Sequence, residues 1–384
     1  MVKTIRLCVV YLLCTAMLLT PVCATQNDAL SQQIAQTSSG LSDKEGSNTS
    51  LLGMGEDFPA GTSVCDWVAM ALALSGSQED YAAYLSDLEN YVEECYAKSG
   101  KLDRIKSTPY HRIALTVLAL NGDPRNFGTR ADGTPIDLIA DGTYAFAGDS
   151  IGDQGLNGWI YALLTLDASK ASVPENAKFT REDMINAIVS AQEPDGGFGL
   201  AAGSSNIDIT AMALQALAPY AKDYPQVIEA GLNYLAGKMS DECLYTFYGD
   251  ESVESSAQTV LALCALGIDP DADSRFQRGD NTLMSGIARF RQSDGTYGHT
   301  LKDEQGDYLA TAQTLLALLS VKKLRSGEGW IFDFTGHTLP EPIPQNNGYV
   351  METAVAIAAA VVADAVVVWI VITRKRKQHG KNNG

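Results

Sequence analysis

A short run rich in alanine, leucine and threonine returns six times along this chain of 384 residues, at a nearly constant spacing. A leucine near the end of each run marks the period, with intervals of 46, 46, 51, 49 and 52 residues: Leu74, Leu120, Leu166, Leu217, Leu266 and Leu318. A fixed period of this length indicates stacked copies of one supersecondary unit, none of which can bury its apolar face alone. Less apolar helical segments separate the runs. The sequence therefore predicts an all-α (α/α)6 toroid, with six inner helices around a lumen and six outer helices.

The clearest unit covers residues 181–220. Thr180, followed three residues later by Asp183, predicts the start of an outer helix. That helix ends at Gln-Glu-Pro-Asp-Gly-Gly-Phe-Gly (192–199), because proline and paired glycines cannot continue a helix. Asn206 and Asp208 then offer caps for the inner helix. Similar turns occur at residues 141–144, 241–245 and 294–298.

The 192–199 turn, followed by Asp208, Thr210 and Ala211, closely resembles the repeat of the squalene-cyclase and protein-prenyltransferase superfamily. Members of that superfamily are α/α toroids with a central cavity. The resemblance covers about residues 61–335. The shared residues belong mostly to turns and packing, so the resemblance predicts the fold more strongly than the activity.

Resemblance to the prenyltransferase branch would imply a zinc ion held by Asp, Cys and His at the mouths of inner helices. Ala310 stands where the histidine would be, and no Asp-x-Cys pair opens an inner helix. A zinc site needs three or four converging ligands. We therefore expect no zinc and no other metal site.

Resemblance to the squalene-type cyclases would imply an Asp-x-Asp-Asp-Thr-Ala segment, in which one carboxylic acid protonates the substrate. Here residues 206–211 read Asn-Ile-Asp-Ile-Thr-Ala, so only the middle acid, Asp208, is present. Its neighbours are Asn and Ile, which favours a helix cap or a polar lumen residue over a proton donor. Few aromatic residues fall on the inner helices, Trp159 and Tyr161 being the main exceptions.

Of the three branches, the chain most closely resembles the secreted cobalamin carriers of the intrinsic-factor and transcobalamin type. They bind a corrinoid without catalysis, beside a small β domain. The leading hypothesis is therefore a binding protein for a bulky small molecule such as a corrinoid, with a separate β-domain protein or a transporter as partner. One alternative is an isoprenoid cyclase or prenyltransferase-type enzyme that uses Asp208. Another is a surface scaffold that binds protein or glycan.

The ligand of such a toroid is expected at the mouth formed by the turns and the starts of the inner helices. The expected ligand-binding residues are Tyr144, Trp159, Phe198, Asp208, Thr210, Tyr245, Thr259, Tyr297 and Thr311. Their mixture of aromatic, hydroxyl and carboxyl groups suits a partly apolar small molecule.

The two ends of the chain predict secretion and anchoring. A basic start, an apolar run and small residues before position 25 predict a signal peptide. Residues 354–372 are apolar except for Asp364 and precede a basic cluster, which predicts one transmembrane helix with a cytoplasmic tail. The expected segments are a signal peptide (1–24), a flexible leader (25–60), the toroid (61–335), a proline-rich spacer (336–350), the transmembrane helix (351–373) and the tail (374–384).

The formal net charge of the chain is −18. A surface of this sign repels phosphate backbones, so nucleic acid is not expected as a partner. The membrane is expected as a partner only through the C-terminal helix, with the N-terminal domain outside the cell.

Overall fold

The computed structural model describes residues 28–43, 50–103 and 105–341. Helices dominate these residues and alternate along the chain between an outer and an inner position. Odd-numbered helices are outer and even-numbered helices are inner: α1 (residues 28–42), α2 (Ser63–Ser75), α3 (Tyr81–Ser99), α4 (Thr108–Ala119), α5 (Leu138–Gly142), α6 (Leu156–Ala168), α7 (Arg181–Ser190), α8 (Ile207–Leu217), α9 (Pro225–Lys238), α10 (Val253–Ala265), α11 (Leu283–Ala288) and α12 (Tyr308–Ser326).

Short strands and 3₁₀ turns connect these helices. The two-residue strands form antiparallel hairpins: β1 (Phe198–Gly199) with β2 (Ser205–Asn206), β3 (Thr246–Phe247) with β4 (Asp250–Glu251), and β5 (Gln277–Arg278) with β6 (Asn281–Thr282). The 3₁₀ turns are Leu51–Gly53, Gly55–Asp57, Ala218–Tyr220 and Ser274–Phe276. The first two hairpins lead directly into inner helices α8 and α10, so they lie at the end of the ring where inner helices begin.

The inner helices form a closed ring. Each packs against the next inner helix in the sequence, and α12 packs against α2. Every inner helix contributes fully buried alanines, among them Ala69, Ala114, Ala162, Ala213, Ala257 and Ala312. Small side chains let neighbouring helix backbones approach closely, which a ring of six helices requires. The toroid predicted from the six-fold period is present in the described residues.

The outer layer is closed by the N-terminal helix α1. Gly196, in the turn before α8, has φ +86°, and a Cβ there would lie 2.6 Å from the Ala230 carbonyl oxygen of α9. Gly295, in the turn before α12, has φ +92°, and a Cβ there would lie 2.6 Å from the Gln36 carbonyl oxygen of α1. The turn before α12 thus packs on α1 in the same way that the turn before α8 packs on α9.

The prediction of a flexible leader over residues 25–60 is wrong for α1 and for the 3₁₀ turns that follow it. Leu30, Ile34 and Leu41 form a buried stripe on α1. Gln33 donates a hydrogen bond of 2.7 Å to the Tyr297 hydroxyl. The many Ser, Thr and Gln residues around the stripe obscured its helical spacing in the sequence.

The expected membrane segments lie outside the described residues. The signal peptide (1–24), the transmembrane helix (351–373) and the tail (374–384) are all among the residues that are not described, as is most of the spacer. Within residues 28–43, 50–103 and 105–341, no helix has the length and apolar character needed to cross a bilayer.

We predict that Gly196→Ala destabilises the protein more than Gly203→Ala. Both glycines have positive φ, which costs an alanine about 1–2 kcal/mol. A Cβ at residue 203 meets open space, whereas one at residue 196 meets the α9 backbone and adds about 1–3 kcal/mol of overpacking. Thermal unfolding of both variants measures the difference. Equal melting temperatures would show that the turn does not press on α9.

Candidate functional site

Two residues of α8 that point in opposite directions show which of its side chains face the lumen. On α8, the Thr210 hydroxyl accepts a hydrogen bond of 2.8 Å from the Phe198 N–H of the preceding turn, so Thr210 faces outward. Asp208 lies two residues earlier, about 200° around the helix, and therefore faces inward. Gln215, seven residues after Asp208, shares its face.

An amide chain runs along the inward faces of three helices. Gln215 Nε2 on α8 donates to Gln258 Oε1 on α10 at 2.9 Å, and Gln258 Nε2 donates to Gln313 Oε1 on α12 at 3.1 Å. Gln215 and Gln258 are buried, and Gln313 is half-buried. These hydrogen bonds fix the three side chains, so this wall of the lumen is polar but uncharged.

An aromatic pair spans the lumen from the other side. Trp67 on α2 and Tyr161 on α6 pack edge to face, with ring centroids 6.3 Å apart. Since α4 lies between α2 and α6 in the circle of inner helices, the two aromatic side chains must meet inside that circle. The electron-rich faces of such rings attract a positive charge. The sequence analysis noted Tyr161 as an aromatic residue of an inner helix but did not include it among the expected ligand-binding residues. It missed Trp67, because nothing in the alanine-rich run around Trp67 indicates which face of the helix it occupies.

Asp208 is the acid of this lumen. Asn206 caps α8 by accepting the Ile209 N–H at 2.8 Å, so Asp208 is not needed as the cap. Its Oδ1 atom is buried and has no hydrogen-bond partner in the described part of the chain. Burial raises the pKa of Asp208, because an unpaired carboxylate is poorly solvated there. The carboxyl group is therefore held in its protonated form over a wider pH range than an exposed aspartate.

Two groups near Asp208 lower its pKa, against the effect of burial. The Ser255 hydroxyl of α10 lies beside the carboxyl group but makes no hydrogen bond of ordinary geometry with it. Both this hydroxyl and the charge of His299 lower the pKa of Asp208. His299 Nδ1 lies 2.7 Å from the carboxylate of Glu254, which raises the pKa of the imidazole. Burial, and then the nearby Asp208, raise the pKa of Tyr161. Tyr161 accordingly stays a neutral phenol beside the acid.

The structure separates Asp208 from most of the other residues expected to bind a ligand. Six of those side chains are fully buried in contacts between turns and helices: Phe198, Thr210, Tyr245, Thr259, Tyr297 and Thr311. Thr311 accepts the Tyr297 N–H at 2.9 Å, repeating the Thr210–Phe198 contact, and the Tyr245 hydroxyl donates to the Leu235 carbonyl at 3.1 Å. These residues join each turn to the helix beside it and present no surface to a ligand in the lumen.

The remaining two expected residues also lie away from the lumen. Trp159 packs edge to face on Phe179, with ring centroids 5.6 Å apart. It lines a hollow of about 770 Å³ on the outer side, between α6, α7 and the β1–β2 hairpin. The Tyr144 carbonyl accepts the N–H of Lys178 at 3.1 Å, which holds a loop. Of the nine expected residues, Asp208 is the one whose position on its helix indicates an inward-facing side chain.

Comparison with known proteins gives one curated relative and a similar solved structure. No protein-family model matches the chain. Drimenyl diphosphate synthase from Streptomyces showdoensis is 23% identical over 270 residues, which cover 68% of this chain and 50% of that protein. The chain thus spans about half the length of this relative. The type II terpene cyclase MstE from Scytonema, solved as a variant with its substrate geranylgeranyl dihydroxybenzoate, aligns with a TM-score of 0.49 at 12% identity, covering 78% of this chain and 99% of that one.

These findings correct the leading hypothesis from the sequence. The relative is a synthase that makes a terpenyl diphosphate, which supports the squalene-cyclase side of the superfamily. The prediction of a non-catalytic corrinoid carrier, and the expectation that the chain is not an enzyme, are wrong. The error came from counting the acids missing around Asp208, whereas the burial of the one acid present is what decides its chemistry.

We predict that Thr210→Val destabilises the protein by about 1–3 kcal/mol. The substitution conserves volume but leaves the buried Phe198 N–H without its acceptor. Thr246→Val, at an exposed strand position, serves as the control and should change stability by less than about 0.5 kcal/mol. Urea unfolding of both variants provides the measurement. Equal stability of the two variants would contradict a structural role for Thr210.

Proposed function

We propose that this protein is an isoprenoid cyclase that starts its reaction by protonating the substrate, with Asp208 as the acid. The observation that carries the proposal is the buried Oδ1 atom of Asp208, which has no hydrogen-bond partner in the described residues and lies on the inward side of the ring with the Trp67–Tyr161 pair. The resemblance to the squalene-type cyclases supports it, because Asp208 occupies the position of the middle acid of their motif. The relationship to drimenyl diphosphate synthase supports the same reaction class.

Protonation is the step that Asp208 would perform. The carboxyl O–H gives its proton to one carbon of a terminal double bond, and the other carbon becomes a cation. A second double bond of the same chain then attacks that cation and closes a ring. Loss of a proton from carbon ends the sequence, so the reaction is an isomerisation in which the acid is regenerated after taking up a proton.

The lumen suits this sequence in two ways. The faces of Trp67 and Tyr161 can stabilise the positive charge as it moves along the chain. The amide chain of Gln215, Gln258 and Gln313 is internally hydrogen-bonded, so its polar atoms are engaged with one another. Exclusion of water from such a site prevents early capture of the cation.

We predict that Asp208→Asn lowers cyclisation by at least about 100-fold, the lower end of what general-acid catalysis contributes. The amide keeps the size of the side chain but has no acidic proton. Asp149→Asn, at an exposed position in the loop before α6, is the matched control and should retain activity. Purified protein would be incubated with farnesyl diphosphate, geranylgeranyl diphosphate and a geranylgeranylated hydroquinone, and cyclic products quantified by mass spectrometry.

The pH dependence of the same assay tests the acid directly. Activity requires the protonated carboxyl, so it should be constant below the raised pKa of Asp208 and fall as the pH increases through it. Ser255→Ala removes a group that lowers this pKa and should shift the fall to higher pH. Full activity in Asp208→Asn, or no cyclic product from any of the substrates, would refute the proposed function.

A further inference from the structure

The loops around the Asp208 end of the lumen are strongly acidic. The three loops that lead into α8, α10 and α12 cover residues 193–206, 241–252 and 291–307, and they hold ten acidic and two basic residues. One of the basic residues, Lys302, forms an ion pair with Asp250. The other, Arg291, donates to the Gln36 amide oxygen at 2.6 Å. These loops therefore present a negative field to anything that enters beside Asp208.

His299, an exposed residue of the loop before α12, also has a partner. It is paired with Glu254, which belongs to α10. His299 is the basic side chain whose charge acts on Asp208, and it is thus already engaged by an acid. A diphosphate would have to compete with Glu254 for it.

Two tyrosines in or directly after these loops are open to solvent. Tyr248 is 95% exposed at the tip of the β3–β4 hairpin, and Tyr308 begins α12 directly after the third loop. Tyr308 also packs edge to face on Phe58, with ring centroids 5.9 Å apart. These side chains can cover hydrocarbon or an aromatic ring where a substrate leaves the lumen.

We propose that the substrate is an isoprenoid whose head group carries no negative charge, such as a prenylated phenol or alcohol, and that the acidic loops discriminate against a diphosphate ester. This inference rests on the proposed function, and it separates this protein from its relative, whose name contains a diphosphate. Like charges in apposition oppose binding. The same negative field favours the cation that forms after Asp208 gives up its proton.

A binding experiment tests the head group without requiring turnover. The full-length Asp208→Asn variant would be titrated with geranylgeraniol and with geranylgeranyl diphosphate, with and without MgCl₂, while tryptophan fluorescence is followed. Trp67→Phe in the same background identifies the signal that comes from the lumen. Geranylgeraniol should bind at least about tenfold more tightly than the diphosphate at low salt, and the ratio should shrink as salt screens the loops.

Charge reversal supplies the matched pair of variants. Glu304→Lys reverses the charge of an exposed acid in the loop before α12. It should reduce the ratio of the two dissociation constants, that of geranylgeranyl diphosphate over that of geranylgeraniol. Asp223→Lys makes the same change at the opposite end of α8 and should leave the ratio unchanged. Equal or tighter binding of the diphosphate, or binding of neither ligand, would overturn the inference. Tight diphosphate binding together with activity that depends on Asp208 would overturn this inference alone and leave the proposed function standing.

Discussion

The packing of α12 against α2 is the contact on which the rest of the structure depends. Without it, the inner helices would form an open superhelix whose concave face is wet. With it, each inner helix is buried between two neighbours, and the alanines on their shared faces set how closely the six backbones approach. The contact of Gly295 with α1 closes the outer layer at the same seam. Ring closure therefore brings the first and last parts of the described domain together.

Closure also determines the chemistry of Asp208. A carboxyl group on the concave side of an open superhelix would be solvated and would ionise like any exposed aspartate. In the closed ring, burial disfavours its charged form, and Oδ1 has no partner to compensate. The fold thus keeps this carboxyl group protonated over a wider pH range than an exposed aspartate, which the isoleucines on either side of Asp208 do not reveal in the sequence.

The six-fold period was sufficient to predict the toroid, because the period reports directly on packing between repeats. The site was harder to predict, because turn residues and lumen residues share the same sequence signal. Thr210 and Asp208 are two residues apart, yet one holds the turn and the other faces the lumen. Conspicuous residues such as Phe198 and Tyr297 proved to be buried packing residues. Trp67 was missed because its importance comes from contact with Tyr161 on a helix that is distant in the sequence.

The proposed reaction needs only one carboxylic acid as its initial proton donor, so it is compatible with one acid in place of the three of the squalene-type motif. Additional carboxylates beside the donor would raise its pKa by like-charge repulsion unless hydrogen bonds offset them. Here His299 and the Ser255 hydroxyl act in the opposite direction, so they keep Asp208 a stronger acid than burial alone would leave it. Glu254 in turn raises the pKa of His299 and so extends the pH range in which the imidazole is charged. The acidity of the site is thus set by residues from α8, α10 and the turn before α12, which the packing of successive inner helices brings together.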